Sequence, residues 1–143
     1  MPISSKAVER VVEEISSGAS DPNHVATVVG ELMRGQPAIG HYVQGHAREL
    51  SIEGTVVLLL HAAVIVRCVE ASRRQMLRRL DFSALDLAAS QPGALAIEAA
   101  LGSYVDSNVV DDDPLLGGTR RATARVILDT IARAALAASP ARV

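Results

Sequence analysis

Tryptophan is absent from this chain of 143 residues, and Tyr42, Phe82 and Tyr104 are its only aromatic side chains. So few rings leave little for a base, a sugar or a flat cofactor to stack on. Cysteine occurs once, at Cys68, which excludes an internal disulfide and a cysteine-built zinc site. Lys6 is the sole lysine among 14 basic residues, and the formal net charge is -2. A balance of that sign supplies no general attraction to nucleic acid or to an anionic membrane. The signatures of common chemistries are missing too. There is no Walker loop, no Gly-x-Gly-x-x-Gly fingerprint and no Gly-x-Ser-x-Gly elbow. Glu-x-x-His, the pair used by ferritin-like carboxylate sites, does not occur. The longest apolar run, 56–66, holds 11 residues and contains His61, against about 20 for a membrane-spanning helix. The first residues lack the apolar stretch of a signal peptide. A soluble protein of a reducing, cytoplasmic compartment is expected.

What is present is aliphatic. Hydrophobic residues make up 49% of the chain, enough at this length for one well-buried core. Val8, Val11, Val12 and Ile15 fall at i, i+3, i+4 and i+7, a one-faced helical stripe. Asp21 and Pro22 open a second helix, which Gly35 closes. Pro37 starts a third, predicted over 37–50, with Ile39, Val43, His46 and Leu50 on one face. Ser51 is a good N-cap for a fourth, predicted to run through the apolar segment to about Leu80. Being apolar all round in its first half, it must be surrounded by others. Phe82, Leu85 and Ala88 mark a short helix after Asp81; Pro92 opens another with Ile97, Leu101 and Val105 inward. Val126, Ile127, Ile131, Ala134 and Ala135 form the stripe of the last, with Arg125, Asp129 and Arg133 as an i, i+4 ladder toward solvent. No segment alternates with period two. The prediction is an all-α, compact single-domain bundle of six or seven helices around a buried central one.

One block occurs twice. Leu32 and Leu87 each stand four residues before a Gln-Pro pair, Gln36-Pro37 and Gln91-Pro92, at an offset of 55. This points to an internal pseudo-twofold repeat, with units at 20–80 and 81–139. Superposing them puts His46 on Leu101, a polar residue in an apolar place. The block itself reads as a corner of the scaffold.

Three groups of residues bear on function. Tyr42, His46 and His61 are candidates for a small-ligand or pH-sensing pocket between the third and fourth helices. Arg67, Arg73, Arg74, Arg78 and Arg79 form a basic stretch that Asp111, Asp112 and Asp113 complement in charge. Both are candidates for an interaction surface. The consecutive aspartates lack the alternating oxygens and final Glu of a calcium loop. The histidines fall short of a metal site, since His41 and His46 project about 140° apart on a helix. No metal, cofactor or catalytic residue is expected. The function that fits is a non-catalytic helical protein–protein interaction or assembly module, homodimeric where small-residue helix faces complete their burial. A ligand pocket near His46 and His61 is the alternative. Nucleic-acid association through 67–79 is a second one that the net charge and scarce aromatics disfavour.

Overall fold

The computed structural model describes residues 3–18, 21–107 and 120–138. Eight α-helices and no strand occur among the described residues: α1 (Ser5–Ser16), α2 (Pro22–Gly35), α3 (Pro37–Gln44), α4 (Ala47–Arg73), α5 (Phe82–Ala89), α6 (Ala94–Ile97), α7 (Ala99–Val105) and α8 (Arg120–Ala138). The all-α class stands. The acidic stretch Asp111, Asp112 and Asp113 lies outside the described residues.

Local chemistry sets most helix starts. Ser4 Oγ accepts from Ala7 N, Asp21 Oδ1 from Asn23 N and Asp81 Oδ1 from Ala84 N, each closing an otherwise orphaned donor of a first turn. Packing fixes which faces turn inward. On α1, Val8, Val11 and Ile15 are buried. The central helix α4 rests against α1, α2, α3 and α8, and its contact with α8 is the most extensive in the molecule. Leu58, Ala62, Ile65, Cys68 and Val69 of α4 are fully enclosed, as are Leu128, Ile131 and Ala135 of α8. Each large aliphatic side chain so buried stabilises the fold by about 1.5–3 kcal/mol. At 27 residues α4 is long and apolar enough to cross a membrane by length and composition. The same apolarity also suits a helix packed against four others.

Four boundaries and faces differ from the sequence expectation, each for a physical reason. The third helix stops at Gln44, so His46 is not on its inner face but is the N-cap of α4. Ser51 does cap: its Oγ accepts from Gly54 N, and its carbonyl accepts from the Thr55 hydroxyl. It does so inside α4, at φ 68° and ψ 169°, a conformation that L residues rarely adopt. α4 ends at Arg73 rather than near Leu80, because Arg74 turns into the left-handed region. The following segment is held instead by its own buried Leu77 and Leu80. The helix expected from Pro92 begins only after Gly93, whose φ of 109° suits glycine alone, and it breaks at Glu98 into α6 and α7. This break raises the count to eight and leaves Ile97 outward, 71% exposed.

The fourth difference concerns α8. Asp129 faces inward, not to solvent, and Val126 faces outward. The aspartate's two oxygens accept from Gly93 N and Leu95 N, at 3.0 and 2.9 Å, and so moor the start of α6 on α8. Glu98 is likewise buried and accepts from Ile3 N. The two Gln-Pro corners are built differently. Gln36 is buried, donates to the carbonyls of Leu77 and Arg78 and accepts from Leu80 N. Gln91 is exposed and accepts from Arg133 Nη2.

Candidate interaction surface and histidine sites

The helices α5, α6 and α8 meet along one side of the molecule, and two hollows lie there. A cavity of about 310 Å³ is lined by Ala89, Pro92, Gly93, Ala96, Ala122 and Val126, among others. A smaller one, about 140 Å³, has Ala84, Leu87, Ala88, Ala134 and Ala137 in its wall. Alanine makes both hollows: with no atoms beyond Cβ, neighbouring helices leave a groove that larger side chains would fill. The Gln91–Arg133 hydrogen bond joins the end of α5 to α8, and these two residues line the smaller hollow. Leu87 and Val126 line the two hollows and are each 62% exposed. Arg78, Arg125 and Arg133 also belong to the lining. Asp129, the carboxylate there, has both oxygens occupied by main-chain N–H groups. Arg125 Nε also donates to Asp106 at 3.1 Å. The lining is thus mostly apolar, with three arginines among its residues.

The expected pocket residues are divided. Tyr42 and His46 do meet, with ring centroids 5.5 Å apart and planes at 78°. His46 Nδ1 is enclosed, lies 3.5 Å from Glu49 Oε1, and makes no hydrogen bond within reach. His61 joins a different group. Between Ile52 and His61 the helix rises roughly 14 Å, and His61 Nδ1 is hydrogen-bonded to the Tyr104 hydroxyl of α7 at 2.6 Å. Sequence spacing had no means of pairing His61 with Tyr104, 43 positions away. Among the described residues no three His, Cys, Asp or Glu side chains converge as a metal ligand set.

The basic stretch does not form one helical stripe, since only Arg67 and Arg73 lie within α4. Arg67 pairs with Glu31 of α2 at 3.0 Å. Arg74 is the left-handed C-cap. Arg79 reaches the Arg34 carbonyl at 3.5 Å, and the Arg78 carbonyl accepts from Gln36. These partners tie the stretch into the scaffold. Arg78 alone of the five lines the α5–α8 hollow.

Compared with family models, with curated proteins and with solved structures, the chain gives no match.

Cys68 is enclosed in α4, and burial pushes its thiol up to about 12 from 9.0. The folded thiol therefore stays neutral where an unfolded one ionises. Because the folded value is the higher one, its contribution to stability is complete below about pH 9 and is lost as pH rises toward 12. Ellman's reagent at pH 8 is expected to leave the native protein unmodified and to titrate one thiol in guanidinium. Rapid labelling of the native state would contradict this burial.

Proposed function

We propose that this protein is a non-catalytic helical assembly module that binds another protein chain through the α5–α6–α8 surface. The observation that carries the reading is the exposure of Leu87 and Val126 beside two alanine-walled hollows. Exposed aliphatics around a concave surface that also carries arginines are what a docking helix or loop needs, with shape from the hollows and orientation from the arginines. The buried polar side chains support a structural role as well. Gln36, Glu98 and Asp129 all bond main-chain groups, which is work done for the fold.

A second copy of the chain is one partner that suits the surface, because the same face offers both protruding and receiving elements, as a twofold interface requires. The free thiol of Cys68 fits a reducing, cytoplasmic setting. A duplicated origin for 20–80 and 81–139 is part of the same reading. Each unit has an Asp-capped helix (α2, α5) leading into a Gln-Pro corner, and the corners have since diverged into a buried and an exposed form.

The test is a double variant, Leu87→Glu with Val126→Glu. Tagged protein purified from its own cells is expected to retain a stoichiometric companion, or to show a doubled mass in light scattering. The variant should lose either one with its melting temperature within a few degrees of the parent. A variant that keeps its companion sinks the assignment of this surface, and a parent that is monomeric and alone sinks the assembly reading.

A further inference from the structure

A second kind of hollow lies between α1 and α7, a cavity of about 320 Å³, the lower end of the roughly 300–1,000 Å³ typical of small-molecule sites. Both helices turn a regular face to it. Val8, Glu9 and Val12 belong to one stripe of α1, and Ala100, Ser103 and Tyr104 to one stripe of α7. The two valines, the alanine and the tyrosine ring form an apolar wall. Tyr104 is only 7% exposed, and its hydroxyl is engaged by His61, so its ring is a fixed part of that wall.

The polar part of the lining is one-sided. Among the described residues of the lining Glu9 is the only carboxylate, none is cationic, and the other polar groups besides Tyr104 are serine hydroxyls. Neither Glu9 nor Ser103 spends its side chain on another described residue. A negative group in the same lining as an aromatic ring and an apolar wall selects a compact cation with a hydrophobic body. The carboxylate attracts the charge, the ring adds cation–π attraction, and the wall takes up the hydrocarbon.

We infer that the α1–α7 cleft is a binding site for a small organic amine with a short apolar body. The site is separate from the α5–α6–α8 surface and stands or falls independently of it. It also gives His61 an indirect part, as the residue that holds the tyrosine in the wall.

Three probes of nearly equal shape test the assignment on the full chain: benzylammonium, benzyl alcohol and benzoate, each titrated at pH 7 while amide and ring resonances are followed by NMR. Benzylammonium is expected to saturate, with shifts centred on Val8, Ala100, Ser103 and Tyr104 and a secondary shift at His61. Benzyl alcohol should bind about fivefold more weakly, the effect of one partly exposed ion pair, and benzoate should not saturate. Glu9→Gln should bring benzylammonium down to the alcohol's affinity without moving the melting temperature. Raising the salt to about 0.5 M should narrow the gap between the two probes. Equal binding of amine and alcohol, amine binding indifferent to Glu9→Gln, or no saturable binding of benzylammonium would each overturn the inference.

Discussion

Replacing Asp129 by alanine is expected to destabilise the protein by about 3–4 kcal/mol, because two hydrogen bonds to a charged acceptor are lost together. The carboxylate is 7% exposed, and its oxygens are divided between Gly93 N and Leu95 N. Alanine would leave Leu95 N without its acceptor in a buried place, which costs more than the bond itself contributes. A change of this size corresponds to roughly 10 °C in melting temperature for a domain of this length. Asp129→Asn provides the informative contrast. Its single oxygen can accept from one of the two N–H groups, while its amide sets a donor against the other. Thermal and urea denaturation should therefore rank parent, Asn and Ala in descending order. A loss under about 1 kcal/mol for alanine, within the ordinary spread of point mutations, would refute the mooring role. Since Asp129 and Gly93 also line the larger α6–α8 hollow, the variant should weaken whatever binds there.

Gly102→Val should be comparably severe. α6 and α7 fold back on each other so closely that a Cβ at Gly102 would meet the Leu95 carbonyl oxygen well inside van der Waals contact. The obstacle is main chain and cannot swing aside like a flexible side chain. Even alanine must push α6 away from α7 and disturb Leu95 and Leu101, both enclosed. A cost of about 3 kcal/mol is expected for alanine and more for valine, at the high end of overpacking effects. Gly35→Ala is the control. A Cβ there meets nothing within 4 Å, and its effect should stay within about 0.5 kcal/mol. Chemical denaturation of the three variants tests the comparison. If Gly102→Ala matched Gly35→Ala, the close approach of α6 and α7 would be wrong.

The residues that defeat sequence reading share a property with these two sites. The stripe of α1, the Asp21–Pro22 and Asp81 starts and the Ser51 cap were legible, because each depends on residues within one or two turns. Asp129 looks solvent-facing in the sequence because Arg125 and Arg133, four residues to either side, complete the pattern of a solvated ladder. Its real partners lie 34 and 36 positions away. Gln36 was correctly placed at a corner, yet its bonds reach 41 to 44 positions along the chain to the 77–80 segment. The end of α4 at Arg73 leaves no mark in the sequence for a related reason. Leu77 and Leu80 continue an apolar pattern that helix and extended chain can both bury. Of the pocket expected at Tyr42, His46 and His61, the first contact was readable from spacing, four residues on a helical segment. The His61–Tyr104 bond required knowing that α7 returns to α4.

The dominance of the α4–α8 contact carries a consequence for the order of assembly. Of the two, the helix with the longest apolar run is made first during synthesis, and the helix that covers it most fully comes only after everything from Arg74 to Thr119 has been made. At roughly 5–20 residues per second, α4 spends seconds with one long flank bare. A nascent chain stalled before Arg120 would thus be sticky rather than half-folded, a natural client for a chaperone. Native structure should appear abruptly, once α8 closes over that flank.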